Sequence, residues 1–258
     1  MSRDSSIQRW IWPALLLIAL LGIWEVAVRV NDTPKWLLPP PSSIIESFRT
    51  DWRMLLDHSR VTLVEVLLGF GLALVAGILT GVAIDSSVIL RRAIYPLIIA
   101  SQTIPMVALA PLMLIWFGYG LMPKILITAL IGFFPIAVNT VDGLRSGDRE
   151  MLALLRSMGS TSWQRFRMVR VPAAMPHIFS GARIAITFCV IGAVFGELVG
   201  SSEGLGYLME RSAAQFQTSR VFACIVILAI MGIGLFSLIA LIERLALPWR
   251  RYLADSGN

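Results

Sequence analysis

The histidines of this chain are His58 and His177, its lysines Lys35 and Lys124, and its cysteines Cys189 and Cys224, and their spacing closes off most enzymatic chemistry. A phosphate-cradling P-loop needs GxxxxGK[ST], yet Lys35 is followed by Trp36 and Lys124 is preceded by Pro123. No HExxH and no GxSxG occurs, so metal-assisted hydrolysis and serine-triad chemistry have no support. Both cysteines fall inside apolar runs without a CxxC partner and read as small apolar fillers, and both histidines read as interfacial residues. The chain is therefore assigned no catalytic residue, no metal site and no cofactor of its own.

A different kind of chemistry is carried by Gln102, Thr103, Asn139 and Glu197, which are polar side chains set within or at the ends of apolar runs. An ionisable or polar residue facing the interior of a membrane bundle marks a solute path, whereas one at a span's end can reach water and be structural. Gln102 and Thr103 precede Pro105 in a run that also holds Pro96 and Pro111. Each proline removes a backbone hydrogen bond, and a helix so broken either lines a cavity or is kinked and backed by protein.

The elements that must position these residues follow from composition. The 258 residues are 57% hydrophobic and 15% charged, against about 25% charged for a soluble domain, and mean hydropathy is +0.77. Six runs reach the roughly 20 apolar residues a span requires, at about 11–30, 61–84, 94–117, 123–141, 178–199 and 220–242. The expected fold is an all-α, polytopic membrane protein of six transmembrane helices, a single domain over 1–258. Arg3 and Arg9 ahead of the first run imitate a signal peptide, but no small-x-small cleavage site follows, and an uncleaved first helix is expected.

The net charge of +6 invites a nucleic-acid reading, but the arginines lie in loops between apolar runs, the distribution of membrane topology. With the N-terminus cytoplasmic, fourteen basic residues, among them Arg91, Arg92, Arg250 and Arg251, fall inside and eight fall outside. Both termini and the long loop Asp142–Arg183 are thereby placed in the cytoplasm. In the first outer loop, Pro39-Pro40-Pro41 precedes Ser42 or Ser43 as the cap of a short helix whose Ile44, Ile45, Phe48 and Trp52 lie on an apolar surface. In the second run, Gly77-x-x-x-Gly81 permits close helix approach. The middles of the runs are nearly free of charge, unlike those of an ion-coupled carrier, so energy for transport is expected to enter through a cytoplasmic surface.

That surface is the loop at about 142–178. Asp148 caps a helix with Met151, Leu152, Leu154, Leu155 and Met158 on one face; Gly159 supplies the left-handed stop. Thr161-x-x-Gln164 is a capping box that starts a second helix bearing Trp163 and Phe166, and Pro172 is expected to end it. The product is a knob with an aromatic tip rimmed by Arg165, Arg167 and Arg170. It suits a partner's cleft, a self-packed hairpin, or a pair of interfacial helices against anionic lipid.

The loop resembles the EAA loop of permease subunits of binding-protein-dependent ABC importers, with Gly159, Val169 and Val171-Pro172 in the matching places. Ala153-Leu154-Leu155 takes the EAA position, so Ala153 stands where the family has its first glutamate, and Glu150 lies three residues earlier. Leu38-Pro39-Pro40-Pro41-Ser42, Ile104-Pro105, Ala108-Leu109-Ala110-Pro111-Leu112, Trp116-Phe117-Gly118-Tyr119-Gly120, Phe133-Phe134-Pro135-Ile136 and Gly196-Glu197 with Gly204-Leu205-Gly206 narrow the likeness to the nitrate, sulfonate and taurine type.

The resemblance implies a type I importer architecture in a bacterial inner membrane. It also implies a second permease copy, favouring a homodimer, and an external solute-binding protein. A cytoplasmic ATPase pair would bind ATP and Mg and dock the loop through Arg156, Gly159, Ser160, Thr161, Trp163, Phe166 and Pro172. Substrates of this type include nitrate, sulfonates, taurine, and pyrimidine or vitamin precursors. Two other classes compete: a self-sufficient channel or secondary carrier, and a non-transporting membrane scaffold.

Overall fold

The computed structural model describes residues 4–248; Arg3, Arg250 and Arg251 of the charge count lie outside them. The described residues form helices α1 (Asp4–Val30), α2 (Pro41–Thr50), α3 (Trp52–Ser86), α4 (Val88–Ser101), α5 (Met106–Phe117), α6 (Leu121–Arg145), α7 (Arg149–Ser157) and α8 (Ser162–Arg165). A π turn (Phe166–Arg170) leads into α9 (Val171–Leu198), followed by α10 (Leu205–Ala214) and α11 (Thr218–Ala246). Among the described residues, five stretches can cross a membrane by length and composition: Ile11–Val30, Trp52–Ser86, Leu121–Arg145, Ser162–Leu198 and Thr218–Ala246.

The sixth passage, expected as one run over 94–117, is two helices instead. Of its three prolines, Pro96 and Pro111 sit inside α4 and α5, and only Pro105 breaks the chain. Pro105 has no N–H and steers its predecessor away from helical dihedrals. The end of α4 accordingly tightens into i to i−3 turns, Thr103 N–H donating to the Ala100 carbonyl at 3.1 Å and Ile104 N–H to Ser101 at 3.2 Å.

At the centre, α6 is clasped between α3 and α9. Val66, Phe70, Ala73, Ala129, Ile136, Ala182, Ala185, Ile186 and Cys189 make one buried cluster across the three helices. Small residues set the spacing. A methyl on Gly77 would lie 2.8 Å from Ile136 Cγ2 and 3.2 Å from the Ala137 nitrogen, and one on Gly81 would lie 2.6 Å from Thr140 Cβ. On the other flank, a methyl on Gly181 would lie 2.8 Å from both Asn139 Cβ and the Pro135 carbonyl. The Gly77-x-x-x-Gly81 pattern is thus the seam of α3 on α6. Cys189 and Cys224 are buried and unbridged, as fillers should be.

The helix after the triple proline forms, but its cap differs from expectation. Pro40 is the N-cap and Pro41 the first helical residue, with no capping side chain at the N-cap itself. The acceptor comes from α1: Glu25 takes the Ser42 N–H at 3.0 Å and the Ser42 hydroxyl at 2.8 Å. A carboxylate satisfies an orphan donor and the positive end of the helix at once, so no local cap is needed. Ile44 is buried with Leu55, Leu205 and Leu208, and Phe48 packs against them, while Ile45 and Trp52 are more than half exposed. Trp24 against Phe222, with ring centroids 5.5 Å apart, ties the end of α1 to α11.

Gly77→Ala should shift the unfolding of the detergent-solubilised protein by about 1–3 kcal/mol, the magnitude of overpacking a tight seam. Gly71→Ala is the control, because its added methyl meets no atom within 4 Å; equal thermal stability of the two variants would contradict the seam.

Candidate functional site

The loop builds as its residues dictate. Asp148 accepts from the N–H groups of Glu150 at 2.8 Å and Met151 at 3.4 Å, starting α7. Gly159 adopts φ +80°, and its N–H returns to the Arg156 carbonyl at 3.0 Å while Ser160 N–H reaches Leu155 at 3.0 Å. Thr161 and Gln164 complete the reciprocal capping box, 2.7 and 3.2 Å. Trp163 stacks on Phe166 with centroids 5.6 Å apart and is 67% exposed.

Three details differ from the sequence reading. The apolar face of α7 divides: Leu152 and Leu155 are half-buried, while Met151, Leu154 and Met158 are 51%, 60% and 73% exposed as an outward stripe. The arginine rim is partly engaged, since Arg165 donates to the Ser160 carbonyl and to Ser162 Oγ, and Arg170 binds Asp85 at 2.7 Å. Pro172 does not end the helix. The π turn comes just before it, with Val171 N–H reaching the Phe166 carbonyl five residues back, and Pro172 sits in the first turn of α9, where its missing N–H is tolerated. Phe166 is half-buried at this joint.

The four polar candidates do not gather in one place. Gln102 and Thr103 are exposed in the break between α4 and α5, the Thr103 hydroxyl donating to the Ala100 carbonyl at 2.7 Å. Asn139 is half-buried, and its amide donates to the Pro135 carbonyl at 2.8 Å. Glu197 lies toward the other end of α6, where Gly196 packs on the Lys124 backbone. Fifteen residues of α6 separate Asn139 from Lys124, roughly 22 Å at 1.5 Å per residue.

Glu197 has no exposed surface. The Thr62 hydroxyl donates to its Oε1 at 2.6 Å and Gly206 N–H to its Oε2 at 2.6 Å. Leu205 N–H reaches Thr62 Oγ1 at 2.9 Å and Gly204 N–H reaches His58 Nδ1 at 2.9 Å. Those N–H groups belong to the first turn of α10, so Glu197, Thr62 and His58 together cap a helix whose own N-cap, Gly204, has no side chain. A Cβ on Gly204 would fall 2.2 Å from the Glu197 carboxyl, which explains Gly204-Leu205-Gly206. Beside it, Lys124 Nζ donates to Glu65 Oε1 at 2.6 Å and to Ser201 Oγ at 2.9 Å.

A comparison with known families matches residues 73–247 to the model described as "Binding-protein-dependent transport system inner membrane component". The chain belongs to that family. The permease is 41% identical to the formylaminopyrimidine transport permease protein ThiX of Halalkalibacterium halodurans, over 93% of this chain and 96% of that one. It is 38% identical to the riboflavin transport system permease protein RibX of Chloroflexus aurantiacus, covering 96% and 94%. With the aliphatic sulfonates permease SsuC of Bacillus subtilis, a putative assignment in that organism, it shares 33% over 93% and 88%. Its fold matches a crystal structure of an amino acid ABC transporter at TM-score 0.60 and 19% identity, over 77% of this chain and 96% of that one. The family, the fold and the permease character expected from the sequence are thereby shown.

Sequence reasoning passed over Glu65 and Lys124. In the expected topology Glu65 lies four residues into the second run, Lys124 one residue into the fourth, and Glu197 near the end of the fifth, all at one depth. Opposite charges at equal depth in neighbouring spans were the available signal. Glu197→Gln should destabilise the permease by about 1–3 kcal/mol, because an amide NH2 facing the Gly206 or Thr62 donor leaves a buried group unmade. Gly204→Ala should do the same through its clash. Unaltered thermal unfolding of Glu197→Gln, with a changed solute affinity, would return Glu197 to the transport path.

Proposed function

We propose that this permease is the membrane subunit of an ATP-driven importer, with both termini and the Asp148–Arg170 loop in the cytoplasm of a bacterial cell, and that the loop is the surface on which a separate ATPase pair acts. The observation that carries this reading is the outward stripe of Met151, Leu154 and Met158 beside the exposed Trp163, a compact apolar surface with aromatic anchoring on a short, rigidly capped support. ATP and Mg are bound by the ATPase, and the permease itself catalyses no reaction. An external binding protein delivers solute to the opposite face. A second copy of the chain completes the pathway: α1 is apolar and almost wholly uncovered in the single chain, as expected of a helix packed on a partner.

For the solute, the relatives that transport formylaminopyrimidine and riboflavin support a nitrogen heterocycle of the vitamin-precursor class over a sulfonate. Gln102 and Thr103, exposed at the proline break, are the residues proposed to meet it; Asn139, packed against Gly181 with its amide on the Pro135 carbonyl, has a place in the α6–α9 seam instead. Titrating the cognate binding protein with pyrimidines, flavins and sulfonates by calorimetry separates these classes.

Gly159→Val tests the coupling role. No atom lies within 4 Å of a Cβ at Gly159, so the constraint is its positive φ and not space, and a β-branched residue there is strained by about 1–2 kcal/mol or more. Uptake and solute-stimulated ATP hydrolysis should fall at least about tenfold, the effect of roughly 1.4 kcal/mol, with membrane insertion intact. Gly159→Asn, which tolerates this conformation, should retain much of both. Full uptake in the valine variant would refute the docking role.

A further inference from the structure

Beneath the loop lies a cleft of about 540 Å³ between the ends of α3 and α4, α7, α8 and the π turn. Its walls carry four guanidinium groups, Arg91, Arg156, Arg165 and Arg170, against a single carboxylate, Asp85, which Arg170 already occupies. Arg91 Nε is buried and has no hydrogen-bond partner. Arg91, Arg165 and Arg170 are half-buried and Arg156 is exposed; an excess of cationic donors over carboxylates, one of them buried and unmade, is the signature of an anion site, since leaving such a donor unmet is costly.

A second hollow of about 520 Å³ adjoins it, walled by Phe70, Leu74, Ile78, Ile239 and Ile242 with Val82 and Phe166. Val82 and Phe166 also line the arginine cleft, so the two spaces are separated by little more than these side chains. Apart from Thr140, whose hydroxyl is turned back to the Ile136 carbonyl at 2.7 Å, the second hollow is lined by apolar residues. From Val82 to Phe70 it follows twelve residues of α3, roughly 18 Å at the helical rise, close to half of a hydrocarbon core about 30 Å thick. A basic cleft at a helix end, continuing into an apolar groove one leaflet deep, has the form of a phosphate headgroup with its acyl chain.

We propose that the permease binds one anionic phospholipid of the leaflet on the loop's side, its phosphodiester among Arg91, Arg156 and Arg165 and an acyl chain in the groove between α3 and α11. A free phosphate would use the cleft and leave the groove irrelevant. A peptide segment would need its own acid above an apolar stretch, whereas lipid chains already surround α3 and α11. The lipid would rest against Phe166, the residue that joins the loop to α9. The assignment is independent of the solute, and it shares Arg156 and Phe166 with the loop on which the ATPase pair is proposed to act.

The test uses the full-length permease in mild detergent with equal phosphatidylglycerol and phosphatidylcholine, followed by native mass spectrometry of the retained lipid. Phosphatidylglycerol should be retained about tenfold over phosphatidylcholine, consistent with the strength of charge-assisted hydrogen bonds. Arg91→Gln should remove most of that preference and Arg91→Lys keep part of it. Ile242→Trp, placed at an exposed groove position, should lower retention of phosphatidylglycerol without touching any arginine. Equal retention of the two lipids, or a preference unchanged in Arg91→Gln, overturns the proposal. So does displacement of phosphatidylglycerol by millimolar inorganic phosphate combined with indifference to Ile242→Trp, which would assign the cleft to a free anion. Because the competition is run on the unmodified protein, a variant that fails to fold does not leave the question open.

Discussion

The close approach of α3 and α9 to α6 is the constraint on which the other features rest. Within a bilayer, helices are not driven together by exclusion of apolar surface from water, because the lipid is equally apolar; association depends on van der Waals contact between closely fitted backbones. Glycine at Gly77 and Gly81 on one side and Gly181 on the other brings Ile136, Thr140 and Asn139 into contact with bare backbone. The resulting three-helix body is narrow, and its core is made largely of alanine, valine and isoleucine. Thr140 and Asn139 satisfy themselves on carbonyls four residues back along α6, so the seam holds polar side chains without needing partners across it.

This body has a chemically distinct device at each end of α6. At one end, Lys124 and Glu65 form an ion pair whose members are 12% and 0% exposed, and Glu197 caps α10 across the gap. Charges held in a low dielectric are tolerated when paired and hydrogen-bonded; here backbone N–H groups, Thr62, His58 and Ser201 supply donors and acceptors, while Glu65 Oε2 is buried without a hydrogen-bond partner. The arrangement joins α3, α6, α9 and α10 at one point, so the Ser201–Gly206 segment is held by hydrogen bonds as well as by the burial of Leu205. At the other end, Arg170 and Asp85 tie the π turn to the end of α3. One end is a lock on a connecting loop; the other is a tether at the base of the knob.

Much of this was legible in the residues alone. The spans were readable because hydropathy over about 20 residues is a strong signal, and the capping of α7 and α8 was readable because Asp148, Thr161 and Gln164 act locally. What escaped were features set by a partner distant in the chain and by departures from the regular helical ladder. Ser42 and Ser43 looked like caps for α2, but Glu25 supplied the acceptor. Pro172 looked like a helix stop, but a widened turn placed it where a missing N–H is harmless. Of three prolines in one run, only Pro105 broke the helix, a distinction that single-residue rules do not draw. The role of Glu197 lay in donors from residues 62 and 206, which no local pattern could reveal.

The path from knob to far face is short in structural terms. α8, the π turn and α9 form one continuous helical run, Ser162–Leu198, of 37 residues, roughly 55 Å at 1.5 Å per residue. Trp163 stands at one end of this helical rod and Glu197, whose carboxylate caps α10, at the other. The weak point of the rod is the π turn, where the hydrogen-bond ladder changes register and Phe166 is wedged between polar cleft and apolar groove. By contrast, α7 joins the rod only through the turn at Gly159. Ala153, standing where the family has a glutamate, is exposed on α7 beside the stripe of Met151, Leu154 and Met158. A charged side chain there would interrupt the apolar surface. Alanine leaves it continuous, so the stripe of Met151, Leu154 and Met158 is not broken by a charge at that position.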